Sequence, residues 1–186
     1  RVSAAFASYE RWMRDEFEFE CAHETARLVG EDNRRRYLPV QMMTVRVQPG
    51  DENFDVLARI GAALLAGTQL TISHPPGLEL TALTAAKAVL GSPAIPVRFV
   101  EESENDLCDS IREGRVERIR FSGPDRVPAQ VFAAASTTLV YLARTPVLAH
   151  GRVELLWYLR EQSISHAYHR YGNLGVRSGE MREPVM

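Results

Sequence analysis

The chain is poor in lysine, in cysteine and in long apolar runs, and each scarcity closes off a class of function. Lys87 is the single lysine among 22 basic residues, the rest being arginine. Chemistry that needs a Schiff-base lysine therefore has one candidate. Two cysteines, Cys21 and Cys108, stand far apart with no CxxC spacing. That excludes a disulfide framework and a cysteine-paired zinc site, and a reducing, cytoplasmic compartment is expected. No run of about 18 apolar residues occurs, so no transmembrane segment is expected. The N-terminal "RVSAAFASYERWMRDEFEFE" is charged throughout and is not read as a signal peptide. A start at Arg1 is read as a fragment of a longer protein. The formal net charge of −2 demands neither nucleic acid nor an anionic membrane as partner.

What is present is a core-forming composition. The chain has 186 residues, 45% of them hydrophobic, which suits one full domain. Ala5, Tyr9, Trp12, Met13 and Phe17 recur at spacings of three and four, predicting a helix over residues 3–20. The segment from Cys21 to Arg36 is polar, and its Arg34-Arg35-Arg36 run reads as a solvated face or an acid partner. Strands and helices then alternate. "MMTVRV" (42–47), "TQLTIS" (68–73), "IPVRFVE" (95–101) and "VERIRFSG" (116–123) are β-rich. Helical faces fall at 53–66, capped by Asp51 or Asn53, at 78–91 with Gly91 as C-cap, at 104–114 and at 127–137. Short links between strand and helix predict a Rossmann-like α/β fold, a parallel sheet flanked by helices. The rhythm breaks in the last third. "TTLVYLARTPVLA" and "RVELLWYLREQSISHAYH", joined at Ala149-His150-Gly151, read as a protruding C-terminal β-hairpin, or flap, followed by a polar tail. The expected organisation is an N-terminal helix and connector (1–36), the α/β domain (37–140), and flap plus tail (141–186).

Candidate chemistry is thin. GxGxxG is absent, and the first strand-to-helix turn, "VQPGDENF", holds one glycine. His74 follows a strand end, where α/β sheets place ligands, but stands alone. Cys21 and Cys108 lack a neighbour that would lower a thiol pKa, so both read as structural. His166 and His169 are three apart with no Asp, Glu or Cys between or just after them, so no metal is assigned. Glu154 and Glu161, on an extended strand, would lie more than about 20 Å apart, too far for concerted acid/base work.

Longer stretches carry a resemblance. "LARIGAALLAGTQLTIS", "VERIRFSG" and the closing "LREQSIS" are similar to the aldehyde dehydrogenase superfamily. There a helix ending in Ala-Gly feeds a strand, a later strand ends in Phe-(Thr/Ser)-Gly, and an oligomerisation hairpin closes the chain. "GEDNRRRYLPV" and "LWYLREQSISHAYHRYGNLG" more specifically resemble the C-terminal region of bacterial bifunctional proline-utilisation enzymes of the proline utilization A type. They also resemble related pyrroline-5-carboxylate dehydrogenases with an appended C-terminal domain. Where active members carry a lysine that meets the cofactor ribose, this sequence has Ser73. Where they carry a Gly-Ser-Thr-x-x-Gly loop, it has Gly123-Pro124-Asp125-Arg126-Val127-Pro128. Pro124 removes a backbone donor and Asp125 repels phosphate. No oxyanion-hole role passes to Asn53, and the chain has no room for the family's inserted catalytic domain.

The resemblance implies a non-catalytic domain with no cofactor of its own, inactive as a fragment. The parent would be an NAD-dependent glutamate semialdehyde (pyrroline-5-carboxylate) dehydrogenase, fused to a flavin-dependent (FAD) proline dehydrogenase. The implied partner is the catalytic dehydrogenase domain of the same or a neighbouring chain, or a second copy through the flap. Docking would use Leu155, Leu156, Trp157, Tyr158 and Leu159, then His166, Tyr168, His169, Arg170, Tyr171 and Asn173, and would help close a substrate channel. The competing reading is an NAD-binding module with an altered cofactor site.

Overall fold

A computed structural model describes residues 1–17, 23–24, 28–92, 95–169 and 172–180. Cys21, Arg170 and Tyr171 lie outside them. Helix α1 (Val2–Trp12) continues into a π-helical turn, Met13–Phe17. Its apolar stripe buries Ala5, Tyr9 and Phe17 as the periodicity predicts. The stripe lies across α2 (Asn53–Leu65), where Phe6 presses on Gly61 so closely that a Cβ there would collide with its ring.

The parallel sheet is present. Its strands are β3 (Met42–Arg46), β4 (Gln69–His74), β5 (Val97–Glu101), β6 (Arg118–Arg120) and β7 (Tyr141–Ala143), in the spatial order β5-β4-β3-β6-β7. All four pairings are parallel. The crossovers are α2, α3 (Thr81–Leu90), α4 (Glu104–Arg112) and α5 (Ala129–Ser136). The chain starts in the middle, at β3, builds outward to β5, then returns to β6 and β7. This doubly wound order puts a topological switch point between β3 and β6. The larger core, with Met43, Val45, Ile60, Leu70 and Ile72, lies under α1, α2 and α3. A smaller one, with Leu107, Ile111, Ile119, Phe121 and Val131, lies under α4 and α5. Cys108 is buried there, and burial raises its thiol pKa, which fits an inert structural thiol.

Local capping differs in one place from expectation. Neither Asp51 nor Asn53 caps α2, whose N-cap is Glu52 without a side-chain hydrogen bond. Asp51 instead accepts from Gln48 N at 3.1 Å, and Asn53 Oδ1 accepts from Ala82 N at 3.2 Å, serving the first turn of α3. Gly91 sits at the α3 C-cap, and Ser103 with Asp106 forms a full capping box on α4.

The expected C-terminal hairpin does not form between the two runs assigned to it. Residues 141–143 of "TTLVYLARTPVLA" join the parallel sheet as its fifth strand. "GRVE" is a short helix, α6 (Gly151–Glu154), followed by a 3-10 turn at Leu155–Trp157. The reason is periodicity. Gly151, Glu154, Leu155 and Tyr158 are the buried positions, a helical spacing that three consecutive apolar residues disguised as a strand. The final strand, β8 (Leu159–Ala167), pairs antiparallel with β2 (Glu31–Pro39) over all nine residues, from Glu31↔Ala167 to Pro39↔Leu159. A two-residue strand, β1 (His23–Glu24), flanks β2 on its other side. The described part of the polar connector is thus largely strand. Its arginines find partners across the ladder and from the π turn: Arg36 Nε donates to Gln162 at 2.6 Å, and Arg35 lies 3.7 Å from Glu16.

Candidate functional site

Two places answer to the sequence predictions: the carboxyl ends of β3 and β6, where a doubly wound sheet binds ligands, and the β2–β8 ladder with its tail.

At the switch point three arginines are fully buried. Arg59, from α2, reaches across both strand ends. Its Nη1 donates to Arg46 O at 2.7 Å and to Arg120 O at 3.3 Å, and its Nη2 meets Asp51 Oδ2 at 2.5 Å. The other Asp51 oxygen accepts from Ser122 Oγ at 2.6 Å and from Arg126 Nη2 at 3.4 Å. Arg126 also donates to Pro49 O, so the loop after β6 is tied to the turn after β3. Arg46 donates to Ser73 Oγ at 2.7 Å and Glu102 O at 3.1 Å, while Ser73 donates to Glu102 Oε1 at 2.5 Å. Burial lowers the Arg46 pKa, opposed by Glu102.

Arg120 extends this system to α6. Its Nε and Nη2 hold both oxygens of Glu154 at 2.9–3.0 Å. Its Nη1 donates to Phe121 O at 2.5 Å and Thr145 O at 2.6 Å. Tyr158 OH donates to Glu154 Oε1 at 3.0 Å, and Leu148 N to Oε2 at 3.0 Å. Burial raises the Tyr158 pKa, and the Glu154 charge adds to it. Burial alone would lower the Arg120 pKa, but Tyr158 and Glu154 outweigh it and the net shift is upward. Each buried charge thus meets an opposite charge or several acceptors, the condition for burying it at all.

Among the expected docking residues, Leu155, Tyr158 and Leu159 are core, at 0%, 0% and 4% exposure. They are interior rather than surface, because the turn and the first residue of β8 pack them into the larger core. Leu156 is exposed, and Trp157 is half-buried and stacks on Tyr141. Arg118 fastens this turn by donating to Trp157 O at 2.8 Å and Leu159 O at 3.1 Å. Glu154 is not on a strand, so the extended spacing that set it apart from Glu161 does not apply; it is instead taken up by Arg120. Glu161 accepts instead from Tyr37 OH at 3.2 Å.

The tail folds back on the connector. Tyr168 OH accepts from Gly30 N at 3.2 Å, and His169 Nδ1 lies 3.0 Å from Gly30 O. Gly30 has φ +93°, and a Cβ there would strike the His169 ring at 2.7 Å, so glycine is required on both counts. Arg177, which sequence reasoning passed over, holds Asp32 through two bonds of 2.8 and 3.1 Å and covers the Tyr168 ring at 3.9 Å. The available signal was the acidic "GED" facing an arginine beyond the tail motif. His166 is exposed, 3.9 Å from Asp32, and Asn173 closes its own turn onto Gly175 N. His74 is buried, with its Nδ1 3.1 Å from Pro75 O. Among the described residues no three His, Cys, Asp or Glu side chains converge as metal ligands, and no helix is long and apolar enough to cross a membrane.

Comparison with solved structures places this arrangement. Proline utilization A from Corynebacterium freiburgense matches 91% of this chain with 27% identity and a TM-score of 0.56, and the match covers 14% of that protein's chain. An aldehyde dehydrogenase variant from Bacillus cereus matches 76% of this chain and 28% of its own, at 16% identity and TM-score 0.56. Succinic semialdehyde dehydrogenase from Streptococcus pyogenes, in complex with NADP+, matches 76% and 31%, at 18% identity and TM-score 0.53. The fold is therefore aldehyde-dehydrogenase-like, and the chain spans a small part of the proteins it matches. No protein-family model and no curated protein sequence matches it.

Proposed function

We propose that this chain is a non-catalytic domain of a larger, cytoplasmic, NAD-dependent L-glutamate γ-semialdehyde (pyrroline-5-carboxylate) dehydrogenase of proline catabolism, fused to an FAD-dependent proline dehydrogenase. It docks on the catalytic aldehyde dehydrogenase domain of the same or a neighbouring chain and helps close the channel that carries the intermediate. The observation that carries this reading is the match along nearly the whole chain to one short stretch of proline utilization A.

The switch point supports the non-catalytic half of the reading. A dinucleotide pyrophosphate needs free backbone donors at the turn after the first strand. Here that turn and the loop after β6 are stitched together by Arg126 and Asp51, and Arg59 already bridges both strand ends. These bonds tell against a pyrophosphate at that turn, and no step is assigned to the cofactor.

Docking falls to what faces outward: Leu156 and Trp157 at the turn, and β8 with Ile164 and His166. Among the described residues β8 has β2 on one side and an open edge on the other, so nine residues of backbone can accept another strand. Tyr168 and His169 act one step back, holding β8 and the connector in register.

The test uses the full-length parent. Ile164→Asp should leave each active site turning over separately supplied substrate and introduce a lag in conversion of proline to glutamate. Unchanged coupling and unchanged assembly would sink the docking role. The doubly wound order favours one rival, an NAD-binding module with an altered site. Saturable NAD or NADP binding by calorimetry below about 1 mM, roughly −4 kcal/mol, would decide for that rival.

A further inference from the structure

One half of one sheet face is only partly covered by the described residues. On the side packed by α4 and α5, the smaller core rests on Ile119 of β6 and on Phe121 just after it, with Leu142 of β7 against it. The same cross-strand row runs on in register through Thr44 of β3, Thr71 of β4 and Arg98 of β5. Among the described helices only α4 reaches these three, through Ser110 at one margin, and Thr71 and Arg98 are left open beyond it. A trough of about 630 Å³ opens there, bordered by Met42, Thr44, Thr71, Arg98 and Arg115. A smaller hollow of about 80 Å³ continues it to Val100 and Glu102. Parallel sheets are nearly always covered on both faces, and the other face of these same strands is packed by α2 and α3.

The chemistry of the trough is one-sided. Thr44 is 4% exposed, and its hydroxyl, open to the trough rather than sealed from water, has no hydrogen-bond partner among the described residues. Thr71 and Arg98 likewise have none. The nearby acids are already engaged: Glu102 takes the Ser73 hydroxyl, and Glu113 pairs with Arg115, which also donates to Ser110. What remains free is one guanidinium above two aligned hydroxyls, beside Met42 and Val100.

We propose that this partly covered half-face seats an acidic, amphipathic helix supplied by the rest of the larger protein. Its apolar side covers Met42 and Val100, and a carboxylate accepts from Thr44 and Thr71 and pairs with Arg98. A helix is the fitting element because the vacancy is a sheet face rather than an edge, and a helix is about 10 Å across. Acidity follows from the unpaired Arg98, with the Thr44 and Thr71 hydroxyls beside it able to donate. This rests on the chain being part of a larger protein. It names a second contact, separate from β8.

The experiment places the photo-crosslinker benzoylphenylalanine at Thr71 in the full-length parent and maps the product by mass spectrometry. The expected product joins Thr71 to a peptide outside residues 1–186 that carries Asp or Glu at helical spacing. Arg98→Glu should cut its yield about tenfold or more through like-charge repulsion, with an unchanged melting temperature. Reversing the cross-linked acid to Arg should restore the yield. Cross-links confined to α4 or β5, or a yield indifferent to Arg98→Glu, overturn the proposal. If that happens while Ile164→Asp still uncouples the parent, the docking function stands and only this contact falls. A Thr71 cross-link with no effect of Ile164→Asp keeps this contact and removes the docking role of β8.

Discussion

The carboxyl edge of the parallel sheet and the β2–β8 ladder both hold arginines against carboxylates, yet they differ in what water does to them. Arg120 and Glu154 are both at 0% side-chain exposure, whereas Arg177 and Asp32 are at 32% and 21%. The buried pair gives up its hydration on folding and recovers it through at least four further protein hydrogen bonds to carbonyls, an amide and a phenol. Removing one partner there leaves a bare charge in a dry site. Removing one partner of the surface pair lets water in. The same chemistry locks the fold together in one region and adjusts the placement of a tail in the other.

That contrast can be broken by substitution. Glu154→Ala should have the largest effect, about 3–5 kcal/mol of unfolding free energy, read by urea denaturation. Replacing Arg120 and Glu154 together by apolar residues of similar volume should recover much of it. If Glu154→Ala costs under about 1 kcal/mol, like an exposed pair, the region is wetter than its burial implies.

Leu155→Ala against Ile164→Ala sharpens the same comparison with apolar groups. The first should cost about 2–5 kcal/mol, because it opens a cavity under the sheet. The second, 42% exposed on β8, should cost a small fraction of that. Equal costs in chemical denaturation would mean that the terminal turn is surface after all.

Ser103→Ala should cost about 1 kcal/mol through the lost N-cap of α4. It should also change the acid limb of the stability curve. The side-chain and then the backbone hydrogen bond from Ser103 depress the Asp106 pKa. A carboxyl depressed on folding contributes stability that is fully present above its unfolded pKa, near 3.9. That contribution fades as pH falls through the lower folded value. The stability curves of the unsubstituted chain and of Ser103→Ala should therefore converge at the acid end, and parallel curves throughout would refute the box.

The smallest effect is expected from Arg177→Ala, a slight loss of stability that vanishes in high salt, as for other exposed pairs. Amide exchange should rise near Gly30 and Tyr168 while the parallel sheet stays protected. Exchange unchanged at those two amides would mean that Arg177 places nothing.

Much of this was legible in the sequence where one element's period sufficed. The strands and helices from β3 to α4 carry their own alternation or 3.6 repeat, and β6 and α5 follow the same rhythm. Cys108 was readable as structural because nothing near it could stabilise a thiolate. The departures share a cause. "ELLWY" is apolar at consecutive positions, so a helical turn buried on one side looks like a strand buried on both. "EDNRRRYLP" looks like solvated coil because its nine-residue partner lies more than a hundred positions away. The arginine-filled switch point was invisible for a similar reason. Arg46, Arg59 and Arg120 stand in unrelated local patterns and meet only when β3, α2 and β6 are assembled.

The sequence by itself determined the alternation, the missing phosphate loop and the likeness between the connector "GEDNRRRYLPV" and the tail "LREQSISHAYH" and one kind of dehydrogenase. These depend on neighbours in the chain, where periodicity, proline and glycine act directly. Only the tertiary structure decided that connector and tail are two strands of one ladder, that Gly30 is the point where they touch, and that Glu154 balances a buried charge. Those outcomes depend on desolvation and on non-local pairing, whose energies exist only once distant segments have excluded water from between them.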